Sequence, residues 1–147
     1  MVLYKVNKFL KERFEAVPSV KTITTDTEDN IDWYSNSQYP LVNINMINAI
    51  PIEGVHRINF TIGIYKQRDT VAKQRDGKYL TDNMIDNLES AYTIASQMIN
   101  NLYSFYNEDF IEIFNLSEIT FLKNVRAKNL DGVQFSITLE IDDELEC

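Results

Sequence analysis

Between residues 133 and 141 the chain alternates without a break. Val133, Phe135, Ile137, Leu139 and Ile141 are apolar, and Gln134, Ser136, Thr138 and Glu140 between them are polar. Successive side chains of a strand point to opposite faces, so this pattern predicts a strand with one face buried and the other wet. Such strands belong to antiparallel sheets covered on one side. The rest of the chain must therefore supply strand partners for this segment and cover for its apolar face. Asp131-Gly132, just before it, predicts a turn.

A second alternating segment runs over about 55–66. Ile58, Phe60, Ile62 and Ile64 fall on one face, and Arg57, Asn59, Thr61 and Gly63 on the other. Shorter strands are predicted at about 20–25, 41–47 and 118–125, the second of them opened by Pro40. Pro51 and Gly54 predict a turn between the strands at 41–47 and 55–66. Residues 107–116, with Phe110 and Phe114, read as an aromatic-rich link.

The cover comes from two helices. Over 2–17, Val2/Leu3, Val6, Phe9/Leu10, Arg13/Phe14 and Val17 recur at three- and four-residue spacing, and Pro18 stops the run. The second starts near Thr81 or Asp82, either of which can cap it. Its stripe is Ile85, Leu88, Tyr92, Ala95, Met98/Ile99, Leu102 and Phe105/Tyr106. The expected architecture is α+β: a mainly antiparallel four- to five-stranded sheet with two helices packed on one face. The whole chain, 1–147, reads as one domain, with a long polar loop at about 67–82 and an acidic tail at about 142–147.

Composition narrows the class. Hydrophobic residues make up 44% of the 147, with only 4 Gly and 3 Pro, which is a globular balance. A single cysteine, Cys147, cannot form an internal disulfide. Residues 1–8 lack the apolar region of a signal peptide, and no apolar run reaches the length of a membrane span. The chain therefore reads as soluble and made in a cytosol. Its formal net charge is −8. That disfavours non-specific nucleic-acid binding, which needs clustered cations, yet suits a surface along which DNA passes without sticking.

Ingredients for catalysis are sparse. His56, the one histidine, has no CxxC or HxxxH context and reads as structural or surface. Cys147 has no local basic cluster to lower its pKa. Gly54, Gly63, Gly77 and Gly132 are too scattered for a phosphate loop. The acidic clusters Asp26-Thr27-Glu28-Asp29 and Asp142-Asp143-Glu144 do not match EF-hand spacing and read as solvated. No enzyme activity, cofactor or metal is expected. The enzymatic rival is a metal-dependent site around Asp26, Glu28 and Asp29.

Three features fit assembly better. Lys66, Arg68, Lys73, Arg75 and Lys78 make a basic loop in an acidic protein, with Lys66-Gln67-Arg68-Asp69 echoed by Lys73-Gln74-Arg75-Asp76. Such a loop can join identical subunits head to tail. It can equally be a solvated loop, or face DNA. Trp33, Tyr34 and Tyr39 lie in or beside a polar stretch, as interface anchors or as a satellite core. The tail from Asp142 to Cys147 either frays or reaches a neighbour.

The layout resembles the tail-terminator, tail-completion and neck ring proteins of tailed bacteriophages, including neck rings of crAss-like phages. The resemblance covers nearly the whole chain. It rests on the opening helix ending at Val17-Pro18, the stretch Tyr39-Pro40-Leu41-Val42-Asn43-Ile44, and the strand Arg57-Ile58-Asn59-Phe60-Thr61-Ile62-Gly63-Ile64 leading into a polar loop. The long helix over 87–106 follows, and the close is Asp131-Gly132-Val133-Gln134-Phe135-Ser136-Ile137-Thr138-Leu139 with its acidic tail. The resemblance implies a virion structural protein of the neck or tail end, assembled in the host bacterial cytoplasm. Its partners would be further copies in a hexameric or dodecameric ring, and the portal, neck and tail proteins around it. DNA would pass through the lumen without specific binding, and no membrane is involved. The rival outside virology is a small α+β adaptor that recognises a peptide or protein.

Overall fold

The computed structural model describes residues 2–25, 38–67, 82–104, 111–125 and 130–142. In chain order the elements are α1 (Val2–Glu15), β1 (Thr22–Thr24), β2 (Leu41–Ile52), β3 (Val55–Gln67), α2 (Asp82–Ser104), β4 (Glu112–Leu116), β5 (Thr120–Val125) and β6 (Leu130–Asp142). This is an α+β fold with one open, mostly antiparallel sheet of six strands. The strands are ordered β1-β2-β3-β6-β4, and β5 also pairs with β6. Among the described residues only the β1–β2 pair is parallel.

Pattern and pairing agree at the centre. β3 and β6 pair antiparallel in unbroken register from Val55↔Asp142 to Gln67↔Leu130. This puts Ile58, Phe60, Ile62 and Ile64 beside Leu139, Ile137, Phe135 and Val133 on one face. Val42 and Ile44 of β2 extend that face, being paired with Ile64 and Ile62. Both helices cover it. Val6, Phe9, Leu10 and Phe14 of α1 and Ala91, Ile94, Ala95, Met98 and Leu102 of α2 join the three strands in a single buried cluster. Burying this much apolar side-chain surface, at about 25 cal/mol per Å², is the main favourable term of the fold.

Four expectations change. The sheet has six strands, not four or five, because the expected link holds β4. Its bulge between Ile113 and Asn115 breaks the alternation that would have marked it. β4 and β5 lie end to end along the same edge of β6, opposite Glu140–Ile137 and Gln134–Leu130. Ser117 spans the break: its N–H donates to the Ser136 carbonyl at 2.9 Å, and its hydroxyl accepts the Ser136 N–H at 2.8 Å.

Asp131-Gly132 is not a turn. It lies inside β6, paired with Lys66 and Tyr65. Asp131 is fully buried and accepts a hydrogen bond from Asn87 Nδ2 of α2 at 3.2 Å. Pro51 belongs to β2, which runs on to Ile52, so the turn is Glu53-Gly54 alone. Finally, the stripe of α2 is wider than its buried side: Leu88, Ala95, Met98 and Leu102 are buried, but Ile85 and Tyr92 are exposed. Phe105 and Tyr106 lie outside the described residues.

Gly54 closes the hairpin with φ at 84°, in the left-handed region that side chains with a Cβ avoid. An added Cβ there would touch nothing within 4 Å, so the cost of a substitution is backbone strain alone. Gly54→Ala is expected to lower stability by about 1 kcal/mol, and Gly54→Asn by less. Urea denaturation followed by circular dichroism checks both, and equal stability of all three proteins would contradict it.

Candidate assembly surfaces

The β2–β3 hairpin outruns its cover. β2 is buried from Leu41 to Ile44 and exposed from Ile47 to Ile52. β1 flanks it only from Leu41 to Asn43, so among the described residues no strand covers the outer edge from Ile44 onward. Three isoleucines stand on this arm, with Ile47 51%, Ile50 52% and Ile52 37% exposed. Ile50 and Ile52 pair with Arg57 and Val55 and share the sheet face away from the helices. The edge also carries two devices that discourage addition of another strand. A bulge lies between Met46 and Asn48, and Pro51 has no N–H to donate.

A second apolar surface lies at the opposite edge. Ile85, Leu88 and Tyr92, at three- and four-residue spacing, form one flank of α2. Phe121 of β5 pairs with Val133 and so faces the helix layer. Together with Glu89 and Lys123 these residues line a groove of about 410 Å³. The Tyr92 and Phe121 rings meet at a centroid distance of 6.0 Å and an angle of 33°. Ile85 is 62% and Phe121 49% exposed.

Between these surfaces, the part of the sheet face away from the helices that holds Arg57, Asn59, Thr138 and Glu140 is polar and tied together. Arg57 Nε donates to Glu140 Oε2 at 2.8 Å, and the guanidinium sits 3.8 Å from the centroid of the Phe114 ring. The bulge in β4 lets Phe114 reach Arg57 on this face. Asn59 donates to Asn48 and accepts from Thr138, linking three adjacent strands. At the other end of the face Leu41, Tyr65 and Leu130 form a small satellite cluster with Tyr39, Leu122 and Val125 around it. Tyr65 lies across Gly63, where a Cβ would run into its ring.

Most of the residues singled out from the sequence lie outside the described residues. Tyr39 packs in the satellite cluster, and Trp33 and Tyr34 lie outside the described residues. Lys66 is half-buried and paired with Asp131 across β3 and β6, while Arg68, Lys73, Arg75 and Lys78 lie outside the described residues. So do Asp26, Glu28, Asp29, Asp143, Glu144 and Cys147. His56 is half-buried at the start of β3, between Pro51 and Ile141. Among the described residues no three His, Cys, Asp or Glu side chains come together as a metal site, and no helix is long and apolar enough to cross a membrane.

Both apolar surfaces were missed, for related reasons. Ile85 and Tyr92 share a helical period with true core residues, and Ile50 and Ile52 look like any strand residues. The one available signal was charge: Leu41–Ile52 is a run of twelve residues without a single Lys, Arg, Asp or Glu, unusual for an edge strand. No protein-family model matches the chain, and no curated protein matches it.

Proposed function

We propose that this chain is a virion structural protein that forms an oligomeric ring at the head–tail junction or tail terminus of a tailed bacteriophage. The ring would join the portal or connector to the tail and let DNA pass. The observation that carries the reading is the pair of exposed apolar surfaces, one at each edge of an open sheet. Apolar area left in water is costly, and clusters of it on a folded chain mark interaction sites. Two different surfaces at opposite edges suit head-to-tail contact, and head-to-tail contacts give rings where the rotation between copies closes. The resemblance of layout to tail-terminator and neck proteins supports the setting, and the net charge of −8 suits a lumen from which DNA phosphates are repelled.

The groove also favours a second reading. Its apolar lining and its volume of about 410 Å³ would serve an adaptor that receives a peptide. Native mass spectrometry and particle imaging separate the two. A ring subunit is expected to give one discrete oligomer of six or twelve copies, alone or on addition of portal and tail proteins from the same phage. A chain that stays monomeric in all those mixtures would sink the ring reading.

A further inference from the structure

The two apolar surfaces also specify how copies would join. We infer that the β2–β3 arm of one copy seats Ile50 and Ile52 in the groove of Ile85, Leu88, Tyr92 and Phe121 on the next copy. This rests on the ring reading above and adds the contact that builds the ring.

Position excludes a contact within one chain. Ile52 pairs with Val55, which pairs with Asp142 at the end of β6. Phe121 pairs with Val133, near the start of β6. At about 3.3 Å per residue the surfaces are ~30 Å apart along the sheet, and they lie on opposite edges with β3 and β6 between. The arm cannot fold back onto its own groove. A two-fold pairing of arm with arm would leave both grooves in water. A head-to-tail contact uses the arm and the groove of every copy at once.

Chemistry and size agree. Two surfaces of a chain with net charge −8 repel unless the contact itself is neutral or complementary. β2 carries no charged residue. The groove carries one exposed charge of each sign, Glu89 and Lys123, so its lining is neutral overall, and Lys123 is the side on which the exposed Glu53 of the turn beyond β2 can be met. The exposed parts of Ile47, Ile50, Ile52, Ile85, Tyr92 and Phe121 amount to roughly 100 Å² each, on the order of 600 Å² together. That is a fitting apolar centre for a contact of about 1,600 Å². A cavity of about 150 Å³ holds a benzene-sized group, so the groove has room for two isoleucine side chains. The bulge and Pro51 make the arm a poor template for strand addition, which leaves side-chain insertion as its mode of contact.

Cysteine pairing tests the inference in a Cys147→Ser background. Mixing Ile50→Cys chains with Phe121→Cys chains under mild oxidation is expected to give a covalent dimer that neither variant gives alone. The double variant Ile50→Cys/Phe121→Cys is expected to give a ladder ending at the ring size. Ile50→Ser and Phe121→Ser, both at exposed positions, are expected to keep the parent's circular-dichroism spectrum and, at dilutions where all are monomeric, to melt close to it, yet to associate at least about tenfold more weakly.

A discrete oligomer with no arm-to-groove product would overturn this contact and leave the ring reading standing. Dimers from Ile50→Cys alone would overturn it in favour of two-fold pairing. Cross-linking of the groove to a tail or portal protein instead of to the arm would also overturn it. A chain that is monomeric throughout would overturn both.

Discussion

Gly132→Ala is expected to destabilise the protein by about 3 kcal/mol or more, an unusually large effect for the addition of one methyl group. Gly132 sits in β6 between Tyr65 of β3 and Leu122 of β5. A Cβ at this position would overlap the carbonyl oxygen of Ile64 and crowd the Ile64 carbonyl carbon and the Tyr65 Cα. All three are backbone atoms of the central strand, held by a ladder that runs the full length of β3 and β6. They cannot step aside without opening that ladder. Gly63→Ala is the matched control. There the Cβ meets only the ring of Tyr65, a side chain that can swing away, and the expected loss is about 1 kcal/mol. Urea denaturation of the two variants decides the matter. Equal losses at Gly63 and Gly132 would show that the close approach of β3 and β6 is not what demands glycine.

Phe60→Ala is expected to cost about 3–5 kcal/mol and to lower the melting temperature by about 10–16 °C. Phe60 is fully buried. It lies between Met46 and Ile137 on the face that both helices cover. Removing the ring leaves a cavity lined by strands and helices that are themselves tied together, so collapse around it is limited. A total stability in the ordinary range of 5–15 kcal/mol would lose a large part of its margin. Ile50→Ala, on the exposed arm, is the comparison, expected within about 0.5 kcal/mol of the parent at dilutions where both are monomeric. A Phe60→Ala protein as stable as Ile50→Ala would contradict the assignment of one shared core under the two helices.

What the chain shows in its order of residues and what it hides divide along a physical line. α1, β3 and β6 were legible because each repeats its own burial pattern over many residues, and the pattern is written in neighbouring positions. β4 was not legible, since a bulge at Phe114 put two consecutive residues against one partner and erased the period. The exposure of Tyr92 was hidden for a different reason. Its spacing from Leu88 and Ala95 is that of a core residue, and only the position of β5, the outermost strand on that side, leaves it at the rim.

Periodicity along the chain is enough to define the class of fold, the two long central strands, both helices and which faces of those strands are apolar. These follow from periods of two and of 3.6 residues, which are local properties of the backbone. Tertiary structure alone decided four things: that β1 runs parallel to β2, that β4 and β5 share one edge of β6, that Gly132 answers to a neighbouring carbonyl and not to a turn, and that apolar side chains stand uncovered at opposite corners of the sheet. Each depends on which distant segment lies alongside, and burial is settled by that neighbour. An apolar residue in a sequence states a preference for leaving water; whether the chain itself or another molecule satisfies it is decided by where the cover ends.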